Sequence, residues 1–138
     1  MKVQVIRSNR KTIGLEVRAD ESVILRAPAV DEISDVELKS ILGEFTERVN
    51  HFCKVMDVTV GRITIRNQKT RWGSCSSKGN VNFNYQLYYM PRELMDYVII
   101  HELSHRRHMN HSAEFWQEVE KYCKTYRECR KKLRDYEI

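Results

Sequence analysis

Residues 101–111 read His-Glu-Leu-Ser-His-Arg-Arg-His-Met-Asn-His, and they indicate both the fold and the chemistry of this chain. Apolar residues at helical spacing precede this stretch, which predicts that its first five residues lie in the middle of a helix. His101 and His105 are then on one helix face, about one turn or roughly 6 Å apart along the axis. Two imidazoles placed in this way can converge on one cation, so we expect a metal site here.

A third ligand is needed, because catalytic zinc takes three protein ligands and leaves its fourth position to water. His108 lies on a similar face but about 10 Å further along the axis, so one straight helix cannot offer all three histidines. Asn110 tolerates the left-handed conformation that ends a helix, and Ser112 can begin a new one. The chain can therefore turn at Asn110 and bring His111 back, which predicts a site for one Zn²⁺ ion.

Glu102 is adjacent to a predicted ligand but is itself free of the metal. It is placed to take a proton from a zinc-bound water, whose pKa zinc lowers to about 7, and to return that proton to a leaving amine. Hydrolysis of a peptide bond is the natural outcome. His-Glu-x-x-His pentapeptides also occur by chance in surface helices, but the helical context and His111 favour the metal site.

Three other kinds of metal site fit the sequence less well. Metzincins share this spacing but carry Gly at the position of His108 and a later methionine turn, and here no methionine follows Met109. Cys75 would be the ligand in a site like that of peptide deformylases, whose other motifs are missing from the sequence. A gluzincin would take a later glutamate, although we favour helix solubility as the role of these acids. The candidates are Glu114, Glu118 and Glu120.

Alternating apolar and polar residues predict the strands. Segments around 3–5, 13–17 and 23–27 favour an N-terminal antiparallel meander, and two further strands are expected at 63–65 and 81–87. A glycine-bearing turn precedes the last of them. Strands therefore come before most of the helices.

Three helices are expected. Ser34 begins a capping-box pattern, and apolar residues then recur at helical spacing to about Met56. Pro91 suits the first turn of the second helix, which carries the histidine pair. Ser112 is a good N-cap for a third helix that extends to Tyr126, so the sequence predicts an α+β fold.

The composition is that of one soluble globular domain over residues 1–138, since 41% of the residues are hydrophobic and 31% are charged. Apolar runs are too short for a signal peptide or a membrane span, so we expect a cytoplasmic protein with no membrane partner. The four cysteines match no zinc-knuckle spacing, and we expect free thiols.

The net charge is +5, and the segment 121–134 is its densest source. With Arg106 and Arg107, this segment could attract the phosphates of a nucleic acid, although a solvated helix face is the commoner explanation. A nucleic-acid-associated protease or metal-binding module is therefore the alternative function, and a metal-binding protein without turnover is a third. The basic residues of the segment are Lys121, Lys124, Arg127, Arg130, Lys131, Lys132 and Arg134.

Four motifs in order resemble the YgjP-like metallopeptidase family, which is similar to the WLM and SprT-type zinc peptidases. They are Arg-Trp-Gly-Ser-Cys-Ser-Ser-Lys-Gly-Asn at 71–80, Val-Asn-Phe-Asn at 81–84, the histidine-glutamate motif at 101–105, and Asn-His-Ser at 110–112 with Phe115-Trp116. The resemblance covers nearly the whole chain. It implies a zincin-like fold, in which N-terminal antiparallel strands and a small mixed sheet pack on an active-site helix and two further helices.

The same resemblance implies His101, His105 and His111 as ligands and Glu102 as the base, in agreement with the spacing. It also places 72–84 beside the cleft, where a strand edge could bind an extended peptide. Equally, Trp72 and Phe83 could simply pack in the core. Phe115 and Trp116 are expected to anchor the third helix against the second. The oxyanion partner stays open among Arg71, Tyr85, His108 and Tyr122.

Overall fold

The computed structural model describes residues 2–6, 16–20, 23–26, 32–68 and 70–136. The strands are β1 (Lys2–Ile6), β2 (Glu16–Asp20), β3 (Val23–Arg26), β4 (Arg62–Arg66), β5 (Gly73–Cys75) and β6 (Val81–Asn84). The helices are α1 (Asp35–Met56), α2 (Arg92–Ser104), α3 (Ala113–Tyr122) and α4 (Tyr126–Arg134), with a 3-10 helix at Tyr85–Tyr89. Within the described residues, none of these helices has the length and apolar character needed to cross a membrane.

A four-stranded mixed sheet has the order β1-β4-β6-β5. Strand β4 is parallel to both β1 and β6, and β5 lies antiparallel to β6 at the edge. Strands β2 and β3 form a separate antiparallel pair. The predicted N-terminal meander is therefore right for β2 and β3 and wrong for β1, because the crossover through α1 lets β1 join β4 in parallel. The parts of the predicted strands at 13–15 and 27 lie outside the described residues.

The strand predicted at 81–87 ends at Asn84, where the 3-10 helix begins. The buried Asn84 side chain accepts a hydrogen bond from the Gln86 backbone N–H at 3.0 Å, as an N-cap does. Tyr85 and Leu87 are both buried even though they leave the strand. The apolar residues at 85 and 87 therefore indicate burial, and their alternation with a polar residue does not indicate an extended backbone.

Helix α1 is confirmed as predicted. The Ser34 hydroxyl accepts a hydrogen bond from the Glu37 backbone N–H at 3.1 Å, and the helix ends at Asp57 in a left-handed conformation with φ 54°. Arg48 on this helix donates two hydrogen bonds, at 2.9 and 2.8 Å, to the carboxylate of Asp96 on α2. These contacts fix α1 against α2. The apolar stripe of α1 packs in the core through Ile41, Phe45, Val49, Phe52 and Met56.

Helix α2 crosses the core, and Ile99, Ile100 and Leu103 are almost completely buried. It ends at Ser104, so the histidine motif lies at its C-terminal end and not in its middle.

The predicted third helix is divided in two. Cys123 takes an extended conformation, with φ −139° and ψ 90°, which ends α3 and lets α4 begin at Tyr126. Three α-helices therefore accompany the active-site helix among the described residues, and not the two that were expected.

Candidate metal centre

The side chains of three histidines lie close together, although each belongs to a different part of the chain. His101 lies in the last turn of α2, His105 is its C-cap, and His111 precedes the N-cap of α3. Their ligand atoms all lie within 4.8 Å of one another. In the part of the chain that the structure describes, this is the one cluster of three or more histidine, cysteine or acidic side chains suited to a metal ion.

The spacing of the nitrogens fits a small tetrahedral ion. The Nε2 atoms of His101 and His111 are 3.3 Å apart. Two nitrogens that each lie about 2.1 Å from a tetrahedral zinc ion are about 3.4 Å from each other. The observed pair therefore has the separation of two ligands of one ion.

Contacts at Nδ1 of His101 and His105 favour the tautomers whose Nε2 lone pairs can bind a metal. Nδ1 of His105 lies 3.0 Å from the His108 carbonyl oxygen, which can only accept, so Nδ1 carries the proton and donates. Nδ1 of His101 lies 3.1 Å from the Tyr97 hydroxyl. That hydroxyl can accept from a protonated Nδ1, which leaves the Nε2 lone pair of His101 for a metal.

The chain does not turn at Asn110 in the expected way. Among non-glycine residues of the described chain, Asp57 alone has a positive φ, so Asn110 is not left-handed. Instead α2 ends at Ser104 and the chain turns at once, through backbone N–H groups of 105–108 that bond to carbonyls at the end of the helix. This earlier turn leaves enough chain to bring His111 back.

Two arginines fix this turn to the rest of the protein. Arg106 donates from Nε to the Thr59 carbonyl at 2.8 Å and from Nη1 to the Ser77 carbonyl at 3.2 Å. Arg107 donates from Nη2 to the Met56 carbonyl at 2.9 Å. The loop between α2 and α3 is thereby tied to the end of α1 and to the turn before β6.

Aromatic rings support the histidines from α3. The Phe115 ring is fully buried and stacks on His105 with centroids 4.5 Å apart. It also makes edge contacts with His101 and His111, each at 5.0 Å. Trp116 stacks on His111 at 5.9 Å. Both aromatics therefore anchor α3 on the end of α2, as expected, and they also orient the three imidazoles.

Burial favours the neutral form of His101 and His105. It lowers the pKa of His101 to about 3, with the neighbouring His105 and His111 lowering it further. Burial also lowers the pKa of His105. The neutral imidazole is the form that binds metals, so this environment suits ligation.

Glu102 is buried beside the histidines, and burial raises the pKa of its carboxyl to about 8, opposed by the positive charge of Arg71. Strand β5 passes directly over it at Gly73. A methyl group at Gly73 would lie 3.1 Å from Cγ of Glu102 and 3.1 Å from Cγ1 of Val98. Glycine therefore permits the close approach of the sheet edge to the site, a role that the sequence did not reveal.

A cavity of about 230 Å³ opens beside His101 and Glu102. Trp72 lines it, whereas Phe83 is fully buried and stacks on Phe45 at 5.7 Å. Of the two expected positions for the aromatic residues of 72–84, Trp72 therefore takes the one at the cleft and Phe83 the one in the core. The remaining lining residues are Tyr97, Val98, Arg130, Leu133 and Arg134.

Sequence reasoning missed Tyr97 and Arg130. Tyr97 was detectable as the residue one helical turn before His101, on the same face. Arg130 was noted only as part of a basic segment, because its position depends on the separate helix α4. Among the candidates for the oxyanion partner, Tyr85 is buried at the start of the 3-10 helix and the charge of Arg71 acts on Glu102.

The competing ligands are not part of the cluster. Glu118 forms an ion pair with Arg107 at 3.6 Å, and Glu114 and Glu120 are exposed. Cys75 bonds through its sulfur to the Ser76 carbonyl. As predicted, all four cysteines are free thiols.

Comparisons with known proteins agree with this geometry. The family model for the YgjP-like metallopeptidase domain matches residues 6–136. The metallopeptidase zymogen abylysin of Pyrococcus abyssi is 25% identical with a TM-score of 0.58, over 68% of this chain and 99% of that one. The zymogen jannalysin of Methanocaldococcus jannaschii is 26% identical with a TM-score of 0.51, over 56% and 80%.

Wss1 from Saccharomyces cerevisiae shares the fold, with 14% identity and a TM-score of 0.57 over 94% of this chain and 90% of that one. No curated protein sequence matches significantly. The predicted α+β, zincin-like fold and the predicted peptidase activity are confirmed. The chain therefore belongs to the YgjP-like metallopeptidase family, and it is a metal-dependent enzyme that acts on protein or peptide substrates.

Proposed function

We propose that this protein hydrolyses peptide bonds with one Zn²⁺ ion held by His101, His105 and His111, and with Glu102 as general base and acid. The observation that carries the proposal is the 3.3 Å approach of two Nε2 atoms next to a buried carboxyl group. Nitrogen ligands that leave a fourth position open are typical of catalytic zinc. When bound there, zinc polarises a substrate carbonyl and lowers the pKa of a coordinated water.

Glu102 is the residue that moves protons in this proposal. Its carboxylate accepts a proton from the attacking water and delivers it to the nitrogen of the leaving amine. Because burial raises its pKa, the carboxylate is a stronger base than an exposed glutamate would be. Val98 and Gly73 lie close to the Glu102 side chain, and only 6% of this residue is exposed.

We further propose that substrates bind as an added strand along β5. This strand is at the edge of the sheet and pairs with β6 on one side. Its residue Gly73 lies directly over Glu102. An extended peptide paired with the other edge would therefore run past the proposed metal and base with its carbonyls exposed to them.

Cleavage of denatured casein by the zinc-loaded protein tests this function. Glu102→Gln should lower kcat by about 100-fold or more, since general base catalysis contributes this much. Its zinc affinity should match that of wild type. Glu120→Gln, an exposed carboxylate on α3, is the matched control and should cleave normally.

Equal cleavage by the wild type and the Glu102→Gln variant would refute the assigned mechanism. Zinc binding with no cleavage of any substrate by either protein would instead support a metal-binding protein without turnover.

A second candidate, association with nucleic acid, is favoured by the exposed basic residues Lys124, Arg127 and Lys131. The arginines at 106 and 107 bond to backbone carbonyls of the protein itself and contribute less than the sequence suggested. Binding of labelled single- and double-stranded DNA and RNA should weaken with rising salt and with reversal of the three charges. Binding that is unaffected by either change would remove this candidate.

A further inference from the structure

We propose that Arg130 and Arg134 form a carboxylate-binding subsite next to the scissile bond. The enzyme would then prefer peptides that carry a carboxylate close to an apolar residue at the cleavage site. This inference deepens the proposed peptidase function and depends on the same cleft.

The position of α4 supports the subsite. The cavity of about 230 Å³ is lined by His101 and Glu102 and, from α4, by Arg130, Leu133 and Arg134. These three α4 residues are spaced as i, i+3 and i+4, so they share one helix face. A substrate bound in this cavity therefore lies beside the two guanidinium groups as well as beside His101 and Glu102.

Contacts with α2 hold α4 in this place. Lys132 forms an ion pair with Glu93 at 2.9 Å, and Leu133 is buried with 5% of its surface exposed. The arginines are therefore presented to the cavity by a packed helix. Their location is set before any substrate binds.

Neither guanidinium group takes part in the hydrogen bonds within the described residues. Arg130 lies over the Trp116 ring with its Cζ atom 4.4 Å from the centroid, which engages the face of the guanidinium and leaves its N–H edge free. Among the ion pairs of the described residues, neither Arg130 nor Arg134 takes part. A planar N–H edge of this kind matches a carboxylate.

The rest of the cavity explains why a carboxylate alone is not the whole ligand. Trp72, Val98 and Leu133 supply apolar walls, and among the described residues that line the cavity Glu102 alone is acidic. An apolar side chain can fill this volume while an adjoining carboxylate reaches the arginines. That carboxylate can be the free C-terminus of a short peptide or the side chain of Asp or Glu within a longer one.

Binding of short peptides to zinc-loaded Glu102→Gln protein tests the subsite without requiring turnover. The probes are three N-acetylated hexapeptides that share one Phe with a neighbouring Gln. The first has a free C-terminal carboxylate and the second a C-terminal amide. The third is the same amide with Glu in place of that Gln. Calorimetry should show that at least one acidic form binds about tenfold more tightly than the neutral amide. Whichever acidic peptide binds more tightly shows whether the subsite prefers a C-terminal carboxylate or a side-chain carboxylate.

The matched variants are Arg130→Met and Arg134→Met, which keep the aliphatic packing and remove the charge. They should abolish the preference, Arg130→Lys should restore part of it, and Lys131→Met on the same helix should leave it unchanged. Equal binding of all three peptides, no binding of any, or a preference that survives both arginine substitutions would overturn the proposal. This experiment measures binding and needs no cleavage. Its result can therefore be interpreted even if the proposed peptidase mechanism is wrong.

Discussion

Nε2 of His111 lies 3.3 Å from Nε2 of His101, although the two residues are ten positions apart in the chain. The distance is set by the surroundings of the loop between them. Arg107 ties that loop to the end of α1, and Phe115 contacts both imidazoles from α3. A site built in this way is preorganised, so little ordering is needed when a metal binds.

Replacing His111 by alanine should lower zinc affinity by more than about 100-fold, because even loss of a partner behind a ligand costs 10- to 100-fold. Isothermal titration calorimetry measures this change. His51→Ala, an exposed histidine on α1, is the control and should bind zinc as the wild type does. Unchanged affinity in His111→Ala would mean that this residue is not a ligand.

Tyr97→Phe removes only the hydroxyl that lies 3.1 Å from Nδ1 of His101. We expect zinc affinity to fall by about 10- to 100-fold, since partners of this kind orient a ligating ring and fix its tautomer. Thermal unfolding of the metal-free protein should change little. A loss of stability with normal zinc affinity would instead show that the hydroxyl serves packing alone.

Gly73→Ala places a methyl group 3.0 Å from the Asn82 carbonyl oxygen and 3.1 Å from Cγ of Glu102. The crowding should destabilise the fold by about 1 to 3 kcal/mol and reduce kcat more than zinc affinity. Gly43→Ala is the matched control, because nothing lies within 4 Å of a methyl group there. Because Gly43 lies on α1, this substitution should raise the free energy of unfolding by up to about 1 kcal/mol. Denaturant-induced unfolding of the two variants measures the difference.

Arg107→Ala removes hydrogen bonds to the Met56 and Asp57 carbonyls at 2.9 and 3.0 Å. We expect a stability loss of about 1 kcal/mol and weaker zinc binding, since the loop that carries His111 loses an anchor. Arg66→Ala, an exposed arginine at the end of β4, should change both quantities by little. Equal effects of the two variants would argue against the anchoring role.

The clustering of His101 and His105 beside Glu102 was predictable because it depends on short spacing. A pair of histidines one helical turn apart with a glutamate between them determines most of a metal site before any tertiary contact is known. His111 was also predicted, but by a wrong route, since Asn110 is not left-handed and the chain already turns after Ser104. That early turn depends on the arginine anchors, which no local pattern shows.

The errors in the fold concern long-range packing. The parallel pairing of β1 with β4 depends on where α1 returns the chain, and alternation alone cannot give strand direction. The break at Cys123 divides one amphipathic pattern into two helices, and it places Arg130 at the cleft. The single domain over 1–138 and the cytoplasmic location stay predictions.

Zinc-edge anomalous diffraction from crystals of the zinc-loaded protein tests the central proposal most directly. We predict one strong peak about 2.0 to 2.1 Å from the Nε2 atoms of His101, His105 and His111, with Glu102 near the ion but not bound to it. A map without a peak between these three nitrogens, or with the ion held by other side chains, would contradict the proposed site.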